Sequence, residues 1–131
     1  MPNADQLTRL ARLARYAVSG GLSAVTHFVV GLAGVTLFGI PAVPASTAGF
    51  AASVAVSYLL QRAWVFTPGA GHAVTGPRFL AVTAAAFTLN TVILWSGGRL
   101  GAPFPLAQAV AILLIPGLNY ALNSRWTFAG D

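Results

Sequence analysis

Apolar residues fill this chain in long uninterrupted blocks, and the charged positions mark where the blocks end. No Arg, Lys, Asp or Glu occurs over residues 16–61, 79–98 or 100–124. Crossing a hydrocarbon core of about 30 Å takes about 20 residues of helix. The first block, at 46 residues, is long enough for two spans. Pro41 and Pro44 fall near its midpoint, where two prolines three apart favour a turn over one continuous helix. The pattern predicts four transmembrane helices, at roughly 17–39, 44–61, 79–97 and 104–123.

The blocks end alike. Ser57-Tyr58-Leu59-Leu60-Gln61-Arg62-Ala63-Trp64-Val65-Phe66 closes the second predicted span, and Asn119-Tyr120-Ala121-Leu122-Asn123-Ser124-Arg125-Trp126-Thr127-Phe128 closes the fourth. Tyr, Trp and Phe recur at an offset of 62, each time with an amide side chain and an arginine ahead of the Trp. Upstream, Arg15-Tyr16 pairs with Arg78-Phe79, and His27 with Asn90, at an offset of 63. These spacings read as a duplicated two-helix unit, with repeat one at about 13–66 and repeat two at about 77–128. Two spans per unit is an even number, so the halves are expected to run parallel, related by a pseudo-two-fold along the membrane normal. The inverted repeat of many secondary transporters is a different arrangement.

Composition agrees with the pattern: 56% of residues are apolar, 7% are charged, and the mean hydropathy is +0.76. The expected fold class is therefore an all-α integral membrane protein, one domain over residues 1–131. There is no cysteine, which excludes a disulfide framework and thiolate metal sites. In this layout Arg9, Arg12, Arg15, Arg62, Arg78 and Arg125 share one side and Arg99 stands alone on the other. The positive-inside rule then puts both termini in the cytoplasm, and so strong a bias argues against dual topology. The basic start precedes an apolar run too long for a signal peptide, so it is expected to be retained.

Residues 1–16 form an amphipathic start. Leu7, Leu10 and Leu13 share one helical stripe and Arg9, Arg12 and Arg15 another. This suits an interfacial helix, leucines in the acyl boundary and arginines on anionic lipid headgroups. A basic start that serves topology alone fits equally well. Residues 68–77, rich in Gly and Pro, read as a flexible cytoplasmic connection that leaves His72 solvated.

At 1.5 Å per residue, His27 and Asn90 each lie about 18 Å from the arginine twelve residues before, near mid-bilayer. A polar side chain there should face protein or water. His27 shares a face with Gly20, Ser23, Gly31 and Gly34, a small-residue stripe that admits a neighbouring helix. The two polar residues either hold helices together across the repeat or line a polar path for a headgroup. Both readings stand at this point.

Asp5 and Asp131 are the only carboxylates, both near the chain ends. Cation-coupled transport generally uses an intramembrane carboxylate. Four short helices invite comparison with the small multidrug resistance family, whose antiport depends on a membrane-embedded glutamate in the first helix; here that helix offers only His27. No catalytic triad, carboxylate pair, clustered metal ligands or nucleotide loop is present, so no enzyme, cofactor, metal or nucleic-acid partner is expected. The arginines point instead to an anion. Arg62 and Arg125 stand beside Trp64 and Trp126, and a guanidinium can fork two hydrogen bonds onto a phosphate while a ring packs an isoprenoid or sugar face. Arg15 and Arg78 are candidates for the same phosphate. Generic anchoring of Trp, Tyr and Arg at a membrane boundary is the alternative.

The terminus Asn-aromatic-x-x-Asn-Arg-x-Trp-x-Phe, after the second and fourth of four spans, resembles that of the GtrA-like family over about residues 13–128. The resemblance implies a role with polyprenyl-phosphate-linked sugars. Members are proposed to help move a lipid-linked monosaccharide across the bacterial inner membrane, or to support the glycosyltransferases that use it. Carried over, the first copy supplies Tyr58, Gln61, Arg62, Trp64 and Phe66, and the second Asn119, Tyr120, Asn123, Trp126 and Phe128. Ser57 and Gln61 replace expected asparagines, and Ser124 takes the arginine position with Arg125 one residue later. The two copies are therefore expected to be inequivalent, with Arg62 the better phosphate ligand. Pro116, without a counterpart in the second span, predicts a kink. The expected partners are a polyprenyl-phosphate sugar and anionic membrane lipid, with a glycosyltransferase and a second copy of the chain compatible with the exposed small-residue faces.

Overall fold

Asn3 starts the first helix with a capping box, its side chain accepting from the Gln6 N–H while the Gln6 side chain accepts from the Asn3 N–H. In this computed structural model, which describes residues 1–129, the helix α1 then runs unbroken over Ala4–Phe38. Asp131, one of the two carboxylates counted above, lies outside the described residues. The remaining elements are α2 (Ala42–Leu60), a π-helical turn (Gln61–Val65), α3 (His72–Arg99), α4 (Phe104–Leu122) and a second π-helical turn (Asn123–Thr127). The described residues contain no strand. All four helices, the second and fourth counted with their π turns, are long and apolar enough to cross a membrane.

The chain divides into two compact units, Met1–Pro68 and the residues from Gly69 onward. In the first, α1 packs against α2 through small residues. A Cβ on Gly49 would run into the His27 carbonyl, and one on Gly34 would lie 3.1 Å from the Ala45 Cβ. The backbones can approach this closely only because no side chain intervenes. Gly31 and Ser23 belong to this contact face, whereas Gly20, expected on the same stripe, faces open space. In the second unit α3 buries Thr75, Phe79, Val82 and Ala86 at helical spacing and α4 buries Ala107 and Ala111, with a Cβ on Gly97 coming within 2.8 Å of the Ala107 Cβ. The sequence offsets reappear in these positions: buried Ser19 and Ser23 correspond to Val82 and Ala86 at 63, and buried Ala45 and Gly49 to Ala107 and Ala111 at 62.

Three elements differ from the expected ones. The first helix, predicted to start at about 17, begins at Ala4, because good helix formers and a capping box leave no breaker between residues 4–16 and the apolar block. The Gly/Pro-rich connection is shorter than predicted, since α3 begins at His72 and includes Pro77. His72 is thus the first residue of a helix, still exposed as expected. Pro77, the sixth residue of α3, lies past the first turn, where it lacks the N–H that would reach the Ala73 carbonyl and its ring crowds that carbonyl. The first inter-helix turn sits at Gly39–Pro41, where Gly39 takes a left-handed φ of 65° and the Ile40 N–H returns to the Gly34 carbonyl. Pro44 falls inside the first turn of α2, and α4 runs through Pro116 without interruption.

Candidate functional site

Each unit ends in the same device, built from the tail of its second helix and the foot of its first. At Gln61 the helical ladder widens, so the Phe66 N–H reaches the Gln61 carbonyl five residues back, at 2.8 Å. In the second unit the Phe128 N–H reaches the Asn123 carbonyl at the same distance. Such π turns are rare and are frequently found at functional sites. The widened turn directs the amide and the Phe inward and the Trp outward. Gln61, Val65 and Phe66 are buried, as are Asn123, Thr127 and Phe128, while Trp64 and Trp126 are 37% and 43% exposed.

Three of the inward side chains, Gln61, Phe66 and Phe128, have fitted partners. Gln61 Nε2 donates to Ser57 Oγ at 2.8 Å, which gives the two departures from the family's asparagines a joint reason: Ser57 and Gln61 satisfy each other one turn apart. Phe66 packs with Tyr16 at 6.5 Å between ring centroids, and Phe128 with Phe79 at 5.9 Å. Ser124, in the arginine position of the second copy, turns its hydroxyl back to the Ala121 carbonyl at 3.2 Å. Tyr58, Tyr120 and Asn119 are half-buried behind the turns.

The arginines fall into two groups. Arg15 Nη1 donates to the Trp64 carbonyl at 3.3 Å, and its guanidinium lies 5.7 Å from the Trp64 ring centroid. Arg78 Nη1 donates to the Trp126 carbonyl at 3.0 Å, with its guanidinium 5.3 Å from that ring. Arg12 adds a contact over the Phe66 ring at 5.9 Å. A carbonyl at the end of a helix lacks an intrahelical donor and carries the negative end of the helix dipole, so a guanidinium is the complementary cap. Arg15 and Arg78 are therefore staples between the first helix and the π turn. The cue was present in the sequence as a separation equal to within one residue, 49 from Arg15 to Trp64 and 48 from Arg78 to Trp126. Each staple uses one of five guanidinium donors on the carbonyl, and the others stay available to an anion. Arg62 and Arg125 come from the π turns themselves, with Arg62 half-buried and Arg125 exposed. They occupy the second and third positions of their turns, so the two copies differ as expected.

His27 and Asn90 lie away from this device. His27 Nε2 stands 3.4 Å from Ser46 Oγ, within its own unit, and its ring meets Phe50 edge-on at 6.0 Å. The pair borders a groove of about 460 Å³ along α1 and α2, otherwise lined by apolar and small residues such as Phe28, Gly31, Leu32 and Val35. Ser46 is the partner that sequence reasoning missed. Asn90 is half-buried on α3.

The family described as "GtrA/DPMS, transmembrane domain" matches residues 15–128, from the first staple arginine to the last buried Phe. The chain belongs to that family. It is a multi-pass membrane protein of a family involved in lipid-linked sugar translocation. No curated protein and no solved structure matches the chain. The match begins at Arg15 of the first staple and ends at Phe128 of the second π turn's bond, so both staples lie within the family domain.

Proposed function

We propose that this GtrA/DPMS-family chain moves, or helps to move, a polyprenyl-phosphate-linked monosaccharide across the bacterial inner membrane for cell-surface polysaccharide synthesis. The observation that carries this reading is the twice-built Arg–Trp turn, in which a staple arginine fixes an outward Trp beside a second arginine. Within each unit a phosphate at the membrane boundary would be received separately, by Arg62 with the spare donors of Arg15 in the first and by Arg125 with those of Arg78 in the second. The indole faces of Trp64 and Trp126 would pack the isoprenoid or sugar. Both termini and both turns are then cytoplasmic, and the first unit is the stronger receptor because Arg62 is the more sheltered cation. In this reading the chain is no enzyme and needs no cofactor.

One observation favours a second reading. The groove beside His27 offers a single polar pair, and a sugar ring with several hydroxyls would lose most of its hydrogen bonds there. A non-transporting scaffold that recruits or stabilises a polyprenyl-phosphate-dependent glycosyltransferase would have no need of a polar path. Purified protein in liposomes with a labelled polyprenyl-phosphate sugar separates the two. Protein-dependent transfer between leaflets supports translocation; none, with stable co-purification of a glycosyltransferase, supports the scaffold.

A further inference from the structure

Threonine hydroxyls in these helices have a common partner. Thr26, Thr36, Thr47, Thr88 and Thr91 each donate to the carbonyl four residues back, at 2.8–3.0 Å. Thr127 does not. The carbonyl four residues before it belongs to Asn123, and the π turn engages that acceptor with the Phe128 N–H at 2.8 Å. Thr127 Oγ1 is left with no hydrogen-bond partner among the described residues, in a side chain only 1% exposed. An enclosed hydroxyl in that state is costly, and native proteins supply a partner.

A second oxygen on the same helical face is in the same condition. Asn119 Oδ1 is enclosed without a partner among the described residues, and Asn123, 2% exposed, lies between Asn119 and Thr127 at spacings of four. The turn that carries Thr127 packs on α3 and α4 of its own unit, so the enclosure is internal to that unit. The corresponding positions of the first unit, 62 residues earlier, are Ser57, Gln61 and Val65. There the amide donates directly to the serine hydroxyl at 2.8 Å, and valine stands in place of the threonine.

We infer that the second unit binds water on this face, held by Asn119, Asn123 and Thr127 behind the π turn. Residues four apart on a helix have Cβ atoms about 5–6 Å apart, and a water making two bonds of about 2.8 Å bridges such neighbours where they do not meet directly. Water donates and accepts, so it serves an amide in either orientation. A cation is opposed by Arg78, which caps the carbonyl of the adjacent Trp126, and by Arg125 in the same turn. Asn123 and Thr127 offer a sugar or a phosphate almost no surface. Water thus does in the second copy what the amide–hydroxyl bond does in the first: it ties the end of the apolar helix to its π turn.

Thr127→Val keeps the shape of the side chain and gives opposite results in the two cases. With water bound, the full-length variant loses a bridged hydrogen bond, and its unfolding equilibrium in an SDS titration should shift about fivefold toward the unfolded chain. A hydroxyl with no partner would leave the valine variant equally stable or more stable. A second measurement reads the water itself. Solid-state NMR transfer of magnetisation from water to the full chain in bilayers should reach the Thr127 methyl faster than the Ala111 methyl, which is equally buried at 1%. Replacing sodium by choline at constant ionic strength should leave the SDS midpoint unchanged. A Thr127→Val variant that is not destabilised, water transfer to Thr127 no faster than to Ala111, or a sodium-dependent midpoint would each overturn the inference.

Discussion

Replacing Arg78 by Gln removes one staple and leaves a polar, uncharged side chain two bonds shorter. The wild-type guanidinium donates at 3.0 Å to the Trp126 carbonyl and lies 5.3 Å from the Trp126 ring. A hydrogen bond from a charged donor contributes about 1.5–3 kcal/mol, and a cation–π contact at a wet site about 0.5–1 kcal/mol. Arg78 is half-buried, so the lower ends apply and the expected loss is about 2 kcal/mol. Arg15→Gln, at a longer 3.3 Å and a more exposed site, should cost about 1 kcal/mol. With Trp126 as the sole tryptophan after Trp64→Phe and Trp95→Phe, Arg78→Gln should increase acrylamide quenching and lower the midpoint of an SDS unfolding titration. Arg125→Gln, in the same turn, should leave both nearly unchanged. The staple argument fails if Arg78→Gln moves neither readout, or if Arg125→Gln destabilises as much.

Other outcomes follow from the packing and the turns. Gly49→Ala forces a methyl against the His27 carbonyl and should destabilise the first unit by about 1–3 kcal/mol, whereas Gly20→Ala, facing open space, should be neutral in the same titration. Ser46→Ala removes the partner of His27 and should cost about 1 kcal/mol, with no further loss when combined with His27→Leu in a double-mutant cycle. Phe128→Ala, in a fully buried position against Phe79, should cost about 3–5 kcal/mol, seen as loss of detergent-stable protein on size exclusion.

The spans were legible because hydropathy blocks report membrane length directly, and the helix ends predicted at 61 and 123 fall on the first residues of the π turns. The turns themselves were not, since five residues are too few for their periodicity to stand apart from an α-helix. Residues 68–77 misled for a related reason: Gly and Pro argue for a loop, yet α3 begins at His72 and carries Pro77 within it. The arginines were legible as a set and not as individuals. Sequence reasoning placed Arg15 and Arg78 with Arg62 and Arg125 at one boundary; only coordinates assign the first pair to the carbonyls of Trp64 and Trp126. For His27, depth predicted a polar partner, but choosing Ser46 required the crossing of α1 and α2 that Gly49 permits.

The central claim is that the π-turn arginines receive a lipid-linked phosphate, and its most direct test is equilibrium binding of a radiolabelled polyprenyl-phosphate monosaccharide to the purified chain in nanodiscs. Binding should weaken about tenfold or more in Arg62→Gln, less in Arg125→Gln, and should fall as salt rises. Unchanged affinity in the Arg62→Gln, Arg125→Gln double variant would contradict the account.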